Sequence, residues 1–321
     1  MQDAWVAVDL GGTKIACALA SLEGQWIASE SAPTLSHEGP EAVLGRIAAL
    51  IGDLAARHAV RPRAIGMGVP GLADLHRGVT RFLPNLPGQW RDVPAGPILA
   101  AHCGCPVFLL NDARMAALGE LRHGHGVGAR GMIFFTIGTG IGGGVVVDGQ
   151  LQLGPLGAAG EIGHQTIIPE GPRCGCGNHG CLEALASGPA IAAEGVRLLA
   201  AGLAPHLHEL TAGNPAAVNP RQMALAAEAG DELVREAILR AARYIAIGAA
   251  NMVTAFHPDL VVLGGGVPAM GPILIDEVRA HLRERVRMFP ADTVRVERSL
   301  LDDKAGLWGG VALARMRTQS A

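Results

Sequence analysis

Residues 5–20 read Trp5-Val6-Ala7-Val8-Asp9-Leu10-Gly11-Gly12-Thr13-Lys14-Ile15-Ala16-Cys17-Ala18-Leu19-Ala20. A β-rich run, Trp5 to Leu10, stops at Gly11-Gly12. A second run, Ile15 to Ala20, ends at Ser21-Leu22-Glu23-Gly24, as the second arm of a hairpin should. The device then recurs in the other half of the chain. Met132 to Ile137 reads as a buried strand, Gly138-Thr139-Gly140 as a turn, and Gly143 to Val147 as the returning strand. Two strand–glycine turn–strand units in 321 residues imply an α/β protein of two lobes, since one core rarely grows that large.

The intervening sequence supports that reading. Glu41 to His58 carries Val43, Leu44, Ile47, Leu50, Ile51 and Leu54 at helical spacing. Ala64 to Val69 and Pro106 to Leu110 read as strands, the second followed by a helix over Ala113 to His123. Gly154 to Glu183 is irregular and rich in glycine and cysteine. A long helix is expected over Asp231 to His257, with Pro205 to Pro220 as a loop before it. Leu260 to Leu263 is a strand ending in Gly264-Gly265-Gly266, and helices follow over Pro272 to Arg287 and Ala305 to Arg317. The expected domains are a first lobe over 1–118, joined by a C-terminal helix within 305–321, and a larger second lobe over 119–304.

Composition narrows the function classes. The net charge of −3 leaves no basic excess for nucleic acid or a membrane surface. No apolar run is long enough to span a bilayer, and the N-terminus lacks the start of a signal peptide. A cytoplasmic enzyme is expected, with neither nucleic acid nor membrane as a partner. Only Lys14 and Lys304 are lysines among 26 basic residues, so a lysine in a glycine-rich turn is notable.

Three groups of residues carry chemistry. In Asp9-Leu10-Gly11-Gly12-Thr13-Lys14 the glycines let backbone N–H groups approach a phosphate, and Thr13 adds a hydroxyl. Asp9 can hold a water on Mg²⁺. One such turn is ordinary hairpin chemistry; a second, Gly138-Thr139-Gly140, points to a nucleotide. Gly264-Gly265-Gly266 offers a third backbone approach, suited to the adenosine end. Asn111-Asp112 stands where a strand gives way to a helix, the end of an open α/β sheet at which ligands bind. Asp112 can accept a proton from a hydroxyl attacking a γ-phosphoryl group, and the same pair suits a helix cap. Lastly, Cys174, Cys176 and Cys181 fall within a few positions among glycines. Three thiolates with His164 or His179 would complete a closed, structural, tetrahedral Zn²⁺ site.

With these elements in place, the chain resembles the ROK family of sugar kinases and repressors, and its glucokinase-like branch in particular. The resemblance runs over nearly the whole length. It rests on Asp9–Lys14, Leu83-Pro84-Asn85-Leu86-Pro87-Gly88, Asn111-Asp112, Glu161-Ile162-Gly163-His164 and the Cys174–Glu183 cluster, in the family's order. It implies the actin/hexokinase-like (ribonuclease H-like) two-lobed fold, with ATP, Mg²⁺ and a hexose as ligands and a homodimer or homotetramer as the assembly. Position by position, it implies Asp112 as general base and Asn85, Asn111, Asp112, Glu161, His164 and Glu183 on the sugar hydroxyls. It also implies His164, Cys174, Cys176 and Cys181 on structural Zn²⁺. Asp9, Gly11, Gly12, Thr13, Lys14, Gly138, Thr139 and Gly140 would serve the phosphates, and Gly264, Gly265 and Gly266 the nucleoside. One departure is Gln89, standing between Gly88 and Trp90 where the family often runs Gly-Trp directly.

The expected activity is therefore transfer of phosphate from ATP to the 6-hydroxyl of glucose. N-acetylglucosamine and N-acetylmannosamine are the alternative acceptors, because the same motifs serve them. A sugar-responsive repressor is the second class, but Asp9 comes too early to leave room for a helix-turn-helix before it. An actin-like assembling protein would share the nucleotide turns and leave the cysteine cluster and Asn111-Asp112 unexplained.

Overall fold

Strand β1, Gln2–Leu10, sends Val6, Val8 and Leu10 into one core and Trp5 and Ala7 into another on the opposite face. The alternation follows from the pleat of a strand, and it settles where Asp9 points: to the side of Trp5 and Ala7. The computed structural model describes residues 1–319, so the last two residues of the helix expected within 305–321 lie outside the described residues. The chain divides into two units, one of Met1–Val127, Leu151–Ala159 and the residues from Asp303 onward, the other of Gly128–Gln150 and Gly160–Asp302.

In the first unit β1 is followed by β2 (Lys14–Ser21), β3 (Trp26–Pro33), helix α1 (Pro40–Arg57), β4 (Val60–Val69) and the short hairpin β5 (Leu72–Asp74) and β6 (Val79–Phe82). Helix α2 (Ala95–Cys103), β7 (Val107–Asn111) and α3 (Asp112–His123) complete its N-terminal part. The sheet order is β3-β2-β1-β4-β7. β1 and β2 are antiparallel, whereas β4 lies parallel to β1 and β7 parallel to β4.

The second unit repeats the plan. It contains β8 (Met132–Ile137), β9 (Ile141–Val147), β10 (Gln150–Leu151, whose second residue opens the stretch that belongs to the first unit), α4 (Leu182–Ala186), α5 (Gly188–Ala200), α6 (Pro205–Thr211) and α7 (Pro220–Ala229). Then come α8 (Glu232–Phe256), β11 (Leu260–Gly264), α9 (Pro272–Arg285) and β12 (Arg295–Arg298). Its order is β10-β9-β8-β11-β12, with an antiparallel β8–β9 hairpin and β11 parallel to β8. Both glycine turns thus join the two strands of the same kind of hairpin. The loop expected over Pro205 to Pro220 is corrected: it holds α6 and a 3-10 turn at Pro215–Ala217. Pro205 at the first helical position and buried Leu207 and Thr211 make a helix too short to show a period.

The last helix, α10 (Ala305–Gln319), belongs to the first unit. It covers the sheet face that α1 leaves open, packing Leu307, Val311 and Ala314 on Trp5, Ala7, Ala18, Ala20 and Ala64. Small residues on both sides bring backbones together. A Cβ on Gly66 would stand 2.1 Å from the Gly310 carbonyl oxygen, and one on Gly309 would stand 1.8 Å from that of Met115 in α3. No side chain larger than hydrogen fits at either place. Among the described residues no helix is long and apolar enough to cross a membrane.

Candidate functional site

In the first unit the turn between β1 and β2 closes with Gly11 N–H donating to the Lys14 carbonyl at 2.9 Å. Thr34, fully buried just after β3, holds the turn from behind. Its hydroxyl donates to the Gly11 carbonyl at 2.8 Å and its N–H to the Thr13 carbonyl at 2.9 Å, while Arg46 donates to the Thr34 carbonyl at 2.8 Å. A Cβ on Gly12 would meet the Asn85 carbonyl oxygen at 3.2 Å, so the turn lies against the Asn85 loop. Asp9 is framed by two glycines. A Cβ on Gly68 would lie 3.5 Å from its Oδ1, and one on Gly306, in the first turn of α10, 3.4 Å from its Oδ2. Burial pushes the Asp9 carboxyl up and the Lys14 charge pulls it down, burial being the larger effect. A desolvated carboxylate with open backbone around it suits a hydrated divalent cation.

Asn111 is the last residue of β7 and the cap of α3. Its Oδ1 accepts from Ala113 N–H at 3.1 Å, Arg114 N–H at 3.2 Å and Arg114 Nη1 at 2.9 Å. Its Nδ2 donates to the Gly71 carbonyl at 3.2 Å and to Asp112 Oδ1 at 3.0 Å. An amide nitrogen has two hydrogens, and both are committed. Asn111 as it stands is therefore a scaffold for Asp112, whose Oδ1 also accepts from Ala113 N–H at 2.8 Å. A Cβ on Gly68 would reach the Asp112 Cα at 3.7 Å, so Asp9 and Asp112 flank the same glycine.

The extra residue at Gln89 is taken up by left-handed backbone: Gly88, Gln89, Trp90 and Asp92 have φ of 69°, 55°, 39° and 53°. Trp90 is buried against the first core, and its indole N–H has no hydrogen-bond partner among the described residues.

In the second unit the Gly138 turn, the cysteine cluster and the Gly264 turn lie together. His164 Nδ1 is 3.6 Å from Cys174 Sγ, and Cys176 Sγ is 3.8 Å from Cys181 Sγ. All four ligand atoms lie within 4.8 Å of one another. A tetrahedral Zn²⁺ with Zn–S of ~2.3 Å and Zn–N of ~2.05 Å has edges of about 3.8 Å between sulfurs and about 3.6 Å between sulfur and nitrogen. Two edges have those lengths and none exceeds 4.8 Å, so the donor set suits that ion once the side chains draw in around it. A disulfide needs a much shorter S–S approach, and all six cysteines are free thiols. His179 is exposed and turns Nδ1 to the Gly171 carbonyl at 3.2 Å, away from the cluster. Burial and the neighbouring thiols push Cys181 up to about 12, while the Asn178 backbone N–H draws Cys176 down. A cation placed among them would release protons from the cluster.

His164 Nε2 faces Glu161 Oε2 at 4.0 Å. Glu183, at the start of α4, links the cluster to the turn: Oε1 lies 3.8 Å from Cys174 Sγ, and Oε2 accepts from Ile141 N–H at 2.8 Å. Gly138 accepts from Gly188 N–H at 2.8 Å, which sets the turn at the first residue of α5. Gly265, with φ of 86°, would carry a Cβ 2.5 Å from the Ile137 carbonyl, so the Gly264–Gly266 turn packs directly behind the Gly138 turn.

Each unit thus gathers its own set of the expected residues: Asp9, Gly11–Lys14, Asn85, Asn111 and Asp112 in the first, and Gly138–Gly140, Glu161, His164, the cysteines, Glu183 and Gly264–Gly266 in the second. Sequence reasoning missed Thr34, Arg46 and Arg114. A threonine and two arginines carry no motif, and only their burial or bonding reveals them.

A family model described as "ROK family" matches residues 5–317. A glucokinase of Thermotoga maritima is 36% identical over 97% of this chain and 97% of that protein. Among solved structures, a ROK family glucokinase from Streptomyces griseus in complex with glucose and AMPPNP is 32% identical, with a TM-score of 0.83, covering 98% of this chain and 99% of that one. A ROK hexokinase from Thermus thermophilus is 37% identical, with a TM-score of 0.80, covering 99% of this chain and 100% of that one.

Proposed function

The chain belongs to the ROK family, with its actin/hexokinase-like fold, and we propose that it is an ATP-dependent hexose kinase acting on the 6-hydroxyl of glucose. The observation that carries this reading is Asp112. It sits where β7 ends, with one carboxylate oxygen pinned by the Asn111 amide and the Ala113 N–H, in the same unit as Asp9 and the Gly11–Lys14 turn.

Asp112 accepts the proton of the attacking hydroxyl, and pinning one oxygen removes rotational freedom before the reaction. The backbone of Gly11–Lys14 and Gly138–Gly140 receives phosphate oxygens, and the Gly264–Gly266 turn faces the nucleoside. Asp9 orders the water shell of Mg²⁺, which enters with ATP and offsets phosphate charge. Asn85, Glu161, His164 and Glu183 offer both donors and acceptors to hydroxyls, which is how a site reads sugar stereochemistry. Structural Zn²⁺, held by His164 Nδ1, Cys174, Cys176 and Cys181, would cross-link the irregular loop that carries these residues, leaving His164 Nε2 for the sugar.

The test is ADP release under saturating ATP-Mg²⁺ with glucose, mannose, fructose, N-acetylglucosamine and N-acetylmannosamine compared. Glucose should show the highest kcat/KM. An N-acetyl sugar ahead of glucose would move the assignment to the alternative acceptors, and tight sugar binding without turnover would mark a sensor.

A further inference from the structure

An arginine three residues into a helix that follows a strand would ordinarily extend its guanidinium into water. Arg114 is instead 1% exposed. A buried guanidinium is costly unless its donors are met, and here each of its three nitrogens has an acceptor. Nε donates to the Ala159 carbonyl at 2.8 Å, Nη2 to the Ala158 carbonyl at 2.8 Å and Nη1 to Asn111 Oδ1 at 2.9 Å.

Two consequences follow for the groups around it. Rotating the Asn111 amide would set its NH₂ against three donors, the Ala113 N–H, Arg114 N–H and Arg114 Nη1. The guanidinium thus joins two backbone N–H groups in holding the orientation in which Nδ2 reaches Asp112 Oδ1. It also grips Ala158 and Ala159, which belong to the first unit although the chain on either side of Leu151–Ala159 belongs to the second. Only Gly160 separates Ala159 from Glu161 in the chain.

We infer that Arg114 is a positioning residue for phosphoryl transfer: through Asn111 it fixes the Asp112 carboxylate, and through two carbonyls it anchors the segment that leads to Glu161. The inference rests on Asp112 as the base. An Asn111 amide held by a charge is a stiffer donor to Asp112 than one held by backbone alone, and small displacements of a reacting group are expensive in rate.

The experiment is a kinetic double-mutant cycle with glucose and ATP-Mg²⁺. Arg114→Gln removes the charge and most of the fork. Asn111→Ser keeps a capping oxygen on α3 but loses the bridge to Asp112. Arg114→Gln should lower kcat about 10–100-fold, with the glucose KM within about threefold. Arg114→Lys should recover part of the loss. In the Asn111→Ser background, adding Arg114→Gln should cost less than about threefold. Should Arg114→Gln not fold, as judged by circular dichroism and thermal melting, the cycle is run with Arg114→Lys, whose expected loss likewise disappears in the Asn111→Ser background.

A change confined to KM, or full multiplication of the two effects, would overturn the inference. Asp112→Asn separates it from its foundation. Near-normal turnover there removes the base and the inference together, whereas an inactive Asp112→Asn beside a fully multiplicative cycle removes Arg114 alone.

Discussion

Gly140→Ala tests whether the glycine turn and the cysteine cluster act as one piece. The new Cβ would stand 2.4 Å from Glu183 Oε2 and 3.3 Å from its Cδ. The clash is with the tip of a flexible side chain, so the carboxylate yields and the fold survives. To reach ordinary contact near ~3.4 Å, Oε2 must withdraw by about 1 Å. That takes it out of range of the Ile141 N–H, which it now accepts at 2.8 Å. Hydrogen bonds to charged groups contribute about 1.5–3 kcal/mol. Glu183 is half-buried, so water recovers part of that, and a loss near the lower end is expected. At ~1.4 kcal/mol per decade, kcat/KM should fall about tenfold. The assay is coupled ADP release with glucose and ATP each varied, together with zinc content and a melting curve. The reasoning predicts intact zinc and a melting temperature shifted by only a few degrees. A variant with unchanged kcat/KM would show that the Glu183–Ile141 bond does nothing for turnover. Loss of zinc would show that the cluster depends on the turn as well as on its own ligands.

Three further outcomes follow from the same geometry. Asp112→Asn should lower kcat by about 10²–10⁴-fold while glucose affinity by calorimetry stays within about tenfold; near-normal turnover would exclude Asp112 as base. Cys176→Ser should lose zinc and weaken glucose binding together, whereas His179→Ala should keep full zinc because that ring faces Gly171; zinc loss without any change in affinity would make the cluster a bystander. Asp9→Asn should stabilise the ligand-free protein at neutral pH yet depress turnover. The sign follows from burial raising the Asp9 carboxyl: the folded state binds the proton more tightly, so stability falls as pH rises through the folded-state range. Melting curves across pH should show the gain of Asp9→Asn vanishing at acid pH, and a gain that persists there would refute the assignment.

Much of this architecture was legible because glycine turns after apolar runs leave strong local signals. Both hairpins, Leu260–Gly264 and the helices at 40–57 and 232–256 stand within a few residues of their expected places. What escaped has physical causes. β3 is an edge strand whose residues Ser29, Glu30 and Ser31 are exposed, so it shows no apolar alternation. The β5–β6 hairpin, α2 and β12 are short, and their burial comes from neighbours distant in sequence. At the site, spacing alone permits either His164 or His179; the resemblance selected His164, and it is His164 that lies with the three cysteines. Asn111 was expected on the sugar, and its further bonds to Asp112, Gly71 and the start of α3 could not be read from the sequence. Arg114 was invisible, since an arginine in a first helical turn reads as solvent-facing.

The glycine-lined seat of α10 bears on how the protein is made. Residues 1–127 leave the ribosome with the Trp5–Ala7–Ala18 face of their sheet uncovered. The helix that covers it is translated only after the entire second unit. Gly306, which borders Asp9, arrives on that same helix. Asp9 therefore gains its Gly306 neighbour only once α10 has docked, after the rest of the chain has been made, and a chaperone that shields the early sheet would be guarding an apolar surface with a known final occupant.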